Sequence, residues 1–108
     1  MSEATVLVAD DEIGLRESVE RTLRREGFRV VQAEDGQLAL DVLRRQGVDL
    51  LLADLRMPRL DGLELLRAAK LLHPEVEVIV LSGHGTVEEA VQAMKEGAYD
   101  FLTKPLER

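Results

Sequence analysis

Apolar positions along the chain fall into short unbroken runs that alternate with stretches of helical spacing, each closed by glycine, proline or a polar cap. Thr5 to Ala9 is a β-branched and apolar run, and Asp10-Asp11-Glu12 follows it. Leu15, Val19 and Leu23 then recur on one helical face until Gly27, the residue type that ends a helix in the left-handed conformation. Phe28 to Ala33 alternates, with Arg29 and Gln32 interleaved, as an edge strand does. A second helix is expected from about Gly36 to Gln46, burying Leu38, Val42 and Leu43 and stopping at Gly47. Leu50 to Ala53 is continuously apolar, which suits a parallel strand covered on both faces.

Beyond the turn at Pro58, Asp61-Gly62-Leu63-Glu64 supplies a carboxylate N-cap with a glutamate three residues on, opening a helix to about Leu72 that Pro74 ends. Val76 to Leu81 is the next strand. Thr86-Val87-Glu88-Glu89 is a capping box that starts a helix with Val87, Ala90, Val91 and Met94 on one face, and Gly97 ends it. Tyr99 to Thr103 forms a last strand before Lys104-Pro105.

Five strands thus alternate strictly with four helices, which predicts an α/β, doubly wound parallel sheet with right-handed crossovers. The strands starting at Thr5, Leu50 and Val76 are the most apolar and belong in the centre; those at Phe28 and Tyr99 are mixed and belong at the edges. The strand order is therefore 2-1-3-4-5, flavodoxin-like. Right-handed crossovers set the first helix on one face and the other three on the opposite face, leaving the first face half bare.

In this order the chain reverses between strands one and three, and ligands bind at the carboxyl ends there. Asp10, Asp11 and Asp54 stand at those ends, with Ser82 after strand four and Lys104 after strand five. Clustered carboxylates raise one another's pKa unless a cation offsets them. Mg2+, which prefers oxygen ligands and keeps positions open for phosphate oxygens, is the natural partner. Lys104 adds a fixed positive charge and Ser82 a hydroxyl donor, so the set suits a transferring phosphoryl group. Asp54 is placed to accept that group as a nucleophile.

Composition narrows the setting. With 108 residues, 45% of them hydrophobic, the chain makes one domain spanning 1–108. Its 21 acidic residues against 14 basic ones, net charge -7, repel a phosphate backbone and argue against direct nucleic-acid binding. Cysteine is absent, which removes disulfides, thiolate metal sites and a cysteine nucleophile. No apolar run approaches membrane-spanning length and Met1-Ser2-Glu3-Ala4 lacks the features of a signal peptide, so a cytoplasmic location and no membrane partner are expected.

Taken together, the Asp10-Asp11 pair, Asp54, Ser82 and Lys104-Pro105 resemble the receiver domain of bacterial two-component response regulators, over essentially the whole chain. The resemblance implies that Asp54 takes a phosphoryl group from a sensor histidine kinase. It implies that Asp11 and Asp54 bind Mg2+ with the Arg56 backbone carbonyl, and that Asp10 acts through a coordinated water. Ser82 would swing toward the phosphoryl group, and Lys104, before a cis-configured Pro105, would pair with one of its oxygens. Phe101 falls at the aromatic switch position, where tyrosine is common, so switching there would proceed without a phenol hydroxyl. Arg56 and His84 fall at positions that flank the phosphoryl group and tune its lifetime.

The stretch from Ser82-Gly83-His84-Gly85-Thr86 through Lys104-Pro105 is similar to receivers of sigma-54-dependent transcriptional activators. That similarity implies a covalently linked output domain and transcription regulation. The family's fifth helix would begin at Leu106-Glu107-Arg108, so the chain reads as truncated before it. The half-bare face is then expected to associate, giving a homodimer, or to be loosely folded. Such a domain is a phosphoacceptor that assists its own phosphorylation and slow dephosphorylation, not an enzyme. Two other readings compete: a Mg2+-dependent phosphohydrolase with an aspartyl nucleophile, and a scaffold of this fold that is never phosphorylated. The first wants a second general acid, which Asp54-Leu55-Arg56 does not provide; the second is disfavoured by the intact acidic set and Lys104. Gly83 and Gly85 serve turns, and His73 and Tyr99 are read as loop and packing residues.

Overall fold

Strand and helix alternate through the computed structural model, which describes residues 3–104: β1 (Thr5–Ala9), α1 (Ile13–Arg25), β2 (Arg29–Ala33), α2 (Gly36–Arg45), β3 (Leu50–Asp54), α3 (Gly62–Leu72), β4 (Glu77–Ser82), α4 (Val87–Lys95) and β5 (Asp100–Thr103). The strands form one parallel sheet in the order β2-β1-β3-β4-β5, as their relative polarity predicts. Local chemistry sets the boundaries. Asp61 with Glu64 and Thr86 with Glu89 each make a complete capping box, satisfying backbone N–H groups that a helix start leaves free. Gly27 and Gly97 take positive φ after α1 and α4.

Pleating divides each strand between two cores. Leu7, Ala9, Leu51, Ala53, Val78 and Val80 face Ala39 and Leu43 of α2, Leu65, Leu66 and Ala69 of α3, and Ala93 of α4. Val6, Val8 and Val30 face the other way, against Val19 and Leu23 of α1. The register carries this second row past α1: Leu50 lies beside Val6, Leu52 beside Val8 and Ile79 beside Leu52. Among the described residues α1 is the helix on this side, and Leu50, Leu52 and Ile79 are only half-buried. The expectation that β3 is covered on both faces is thus corrected at its outer residues. The fifth-helix positions and Pro105 lie outside the described residues.

Three further expectations change. Leu38 of α2 is 44% exposed, because the stripe that meets the sheet runs through Gly36, Ala39, Leu40 and Leu43 instead. Gly47 does not stop α2; Gln46 leaves the helix in an extended conformation one residue earlier. In α4 the packed residue is Ala93, with Ala90 half-buried, while Val87, Val91 and Met94 face outward. The small alanines let α4 sit close to the sheet, which turns its bulkier apolar residues to the surface. None of the described helices is long and apolar enough to cross a membrane.

Candidate functional site

β1 and β3 end side by side where the strand order reverses, and each delivers a carboxylate. Asp10 is fully buried and Asp54, the last residue of β3, is 7% exposed; Asp11, one step further along the loop, faces solvent. Oxygens of all three carboxylates lie within 4.8 Å of one another. Backbone contacts fix the frame around them. The Asp10 N–H donates to Ala33 O (3.1 Å), and the Leu55 N–H to Leu81 O (2.7 Å). α3 begins hard against β3: a Cβ on Gly62 would stand 2.5 Å from Asp54 O, so only glycine permits this approach.

Lys104 arrives from the other side. Its backbone N–H donates to Ser82 O (2.8 Å), continuing the β4–β5 ladder by one residue and aiming the side chain inward. Its ammonium lies 2.8 Å from Asp10 Oδ2 and 3.4 Å from Asp54 Oδ1. Asp10 Oδ1 accepts the Glu12 N–H (2.9 Å), whereas the buried Oδ2 has the Lys104 ammonium as its ion-pair partner. Burial raises the Asp54 pKa, and Asp10 raises it further, against the pull of Lys104. For Lys104 burial would lower the pKa, but Asp10 and then Asp54 outweigh it, and the net shift is upward.

One ammonium therefore serves two buried carboxylates, while the exposed Asp11 carboxylate beside them adds a third negative charge. An all-oxygen set of three converging carboxylates, with one ammonium between two of them, fits a hard divalent cation. The opening beside it, about 410 Å³, is lined by Asp11, Arg56, Met57 and Glu89 among others. A larger hollow of about 520 Å³ lies at the opposite end of the sheet, beside Gly47, His73 and Pro74, and holds no carboxylate cluster. Chemistry rather than size locates the site.

The remaining predicted residues surround this centre. Ser82 is buried, and its Oγ accepts the His84 N–H (3.2 Å). His84 itself is exposed. The Arg56 guanidinium turns outward and donates to Glu89 Oε2 (2.8 Å), linking the loop after β3 to the first turn of α4. Phe101 is half-buried with its ring over Gly85: a Cβ there would lie 2.6 Å from the ring Cζ and 3.0 Å from Ser82 Oγ. Ser82, Gly85 and Phe101 thus meet at one point, and the ring occupies room that only glycine leaves. Gly85→Ala is expected to displace the ring. Loss of nuclear Overhauser contacts between Phe101 and Ser82 would register the move, and retention of them would refute it.

One residue at the site escaped the sequence reading. Arg16 is buried, and its Nη1 donates to the Asp10 carbonyl (2.8 Å). Its signal was positional, because Arg16 lies three and seven residues before Val19 and Leu23 and so places a charge on the apolar face of α1.

This geometry coincides with membership of a known family. The response regulator receiver domain model matches residues 6–108, and the chain belongs to that family. It is 41% identical over 105 residues to the transcriptional regulatory protein GlrR of Escherichia coli K12, covering 97% of this chain but 24% of that protein. The chain therefore spans about a quarter of the length of the curated relatives it matches. Among solved structures, the receiver domain of NtrX from Brucella abortus superposes with a TM-score of 0.86 at 41% identity, covering 94% of this chain and 87% of that one. A Burkholderia pseudomallei response regulator with a phosphorylated aspartic acid superposes at 0.91 with 31% identity, over 97% of this chain and 62% of that one.

Proposed function

We propose that Asp54 is the phosphoacceptor of this receiver domain and that a partner histidine kinase supplies the phosphoryl group. The observation that carries this reading is the placement of the Asp54 carboxylate: at a strand end, against Asp10 and Asp11, with the Lys104 ammonium 3.4 Å from Oδ1. Asp54 Oδ attacks phosphorus as the nitrogen–phosphorus bond of a kinase phosphohistidine breaks, and the departing imidazole takes up a proton. Asp11, Asp54 and the Arg56 carbonyl would hold Mg2+, with Asp10 acting through a coordinated water, and the ion would supply positive charge to offset that of the phosphoryl oxygens. Lys104 exchanges Asp54 Oδ1 for a phosphoryl oxygen, so its charge stays paired throughout.

Ser82 then rotates its hydroxyl toward the new oxygens, giving up the His84 N–H, and the space beside Gly85 changes with it. Phe101 follows that space, by packing alone. Arg56 and His84, at the rim, set how readily water reaches the phosphoryl group. The domain works as a signal acceptor in the cytoplasm, joined to an output domain that regulates transcription.

The test is labelling. Acetyl phosphate with Mg2+ should add one phosphate mass increment, mapped to the peptide that contains Asp54 and lost on alkaline hydrolysis. An unmodified chain, or an increment on another residue, would sink the proposal.

A further inference from the structure

α1 presents an apolar face to the sheet, yet its one buried residue is Arg16, while Val19 and Leu23 are half-buried. A guanidinium in that position is costly unless its donors are used. Two of them are: Nη1 donates to Asp10 O (2.8 Å) and Nε to Gln32 Oε1 (2.9 Å). Gln32 in turn donates to Glu20, whose other oxygen accepts from Arg24. A continuous set of side-chain bonds therefore runs from the Asp10 carbonyl back onto β2 and α1.

The carbonyl that Arg16 holds belongs to the peptide plane joining Asp10 and Asp11. With the Asp10 N–H tied to Ala33 O, the backbone is gripped on both sides of Asp10. Because a peptide unit is rigid, fixing its oxygen fixes the direction in which the chain delivers Asp11. We infer that Arg16 is a positioning residue for the cation site, holding the Asp10–Asp11 peptide so that both carboxylates converge with Asp54. The inference rests on the proposed Mg2+ site and deepens it.

Three roles for Arg16 predict different signs. Were its charge all that mattered, its removal would tighten Mg2+ binding, since a nearby cation repels another. Were it packing only, its removal would lower stability and leave the affinity of the folded chain unchanged. A positioning role predicts weaker binding, by about tenfold, the usual scale for groups that orient metal ligands.

The experiment is calorimetric titration of Mg2+ into the folded parent, Arg16→Met and Arg16→Lys. Methionine keeps the length without donors, and lysine keeps the charge without the two-pronged fork. Weakening of about tenfold in Arg16→Met and a smaller loss in Arg16→Lys are expected. Unchanged or tighter binding in Arg16→Met overturns the inference. Should Arg16→Met fail to fold, Gln32→Met decides with the same sign, because it frees the guanidinium from one anchor: weaker binding supports the role, and unchanged or tighter binding refutes it. If the parent itself does not bind Mg2+, the proposed function fails instead, so the two failures are distinct.

Discussion

Asp54→Asn should take up no phosphate from acetyl phosphate while melting at a higher temperature than the parent in the absence of metal. The first effect follows from loss of the nucleophile. The second follows from electrostatics, because burial and the neighbouring Asp10 both disfavour the Asp54 carboxylate, and asparagine keeps its shape without its charge. Relief of one like-charge neighbour is worth on the order of 1 kcal/mol, or about 4–8 °C for a domain of this size. The pH dependence gives the sign a second check. The folded pKa of Asp54 stands above its ordinary 3.8, so the native state binds more protons between the two values, and the penalty is relieved as pH falls through the folded value. The gap in melting temperature should therefore be widest near neutrality and narrow on acidification. A constant gap would mean that charge is not its cause, and a labelled Asp54→Asn would remove Asp54 from the chemistry.

Lys104→Met is expected to have the larger effect on stability. Its ammonium is the counter-charge to a fully buried carboxylate at 2.8 Å and a largely buried one at 3.4 Å. Removing one partner of a buried pair leaves the other uncompensated, at a cost of about 3–5 kcal/mol. Mg2+ should restore much of that loss by supplying charge to the same carboxylates, and should bind the variant more tightly than the parent because no ammonium competes. Lys104 has a raised folded pKa, so its contribution is fully present below the ordinary 10.5 and is lost only as pH rises through the folded value. The deficit of Lys104→Met should accordingly persist across neutral pH. Urea denaturation with and without Mg2+ measures both points, and an equal deficit in the two conditions would refute the shared-site account.

The legibility of this chain follows from what each signal depends on. The relative polarity of the strands was sufficient for the sheet order, because the central strands are continuous apolar runs and Phe28–Ala33 and Tyr99–Thr103 are mixed. Asp10, Asp11, Asp54, Ser82 and Lys104 were legible because each breaks an apolar pattern at the end of a strand. Facing directions were less so. Val87, Val91 and Met94 share a helical face, but periodicity cannot tell whether a short helix packs through that face or through Ala90 and Ala93 beside it; depth decides, and depth is tertiary. Leu38 failed for the same reason beside Ala39. Arg16 was hidden differently: a lone arginine in a helix reads as solvated until its partners are known, and Gln32 and the Asp10 carbonyl are its neighbours only after β2 has paired with β1.

A quantitative consequence follows from the single hydrogen bond that Ser82 Oγ accepts. A neutral bond of this kind contributes about 1 kcal/mol, a factor of about five in population. With phenylalanine rather than tyrosine at position 101, no hydroxyl adds a second polar preference on the far side. If Ser82 and Phe101 move together as proposed, so light a restraint on the resting Ser82 predicts a switch with a low threshold, one that small inputs are enough to turn.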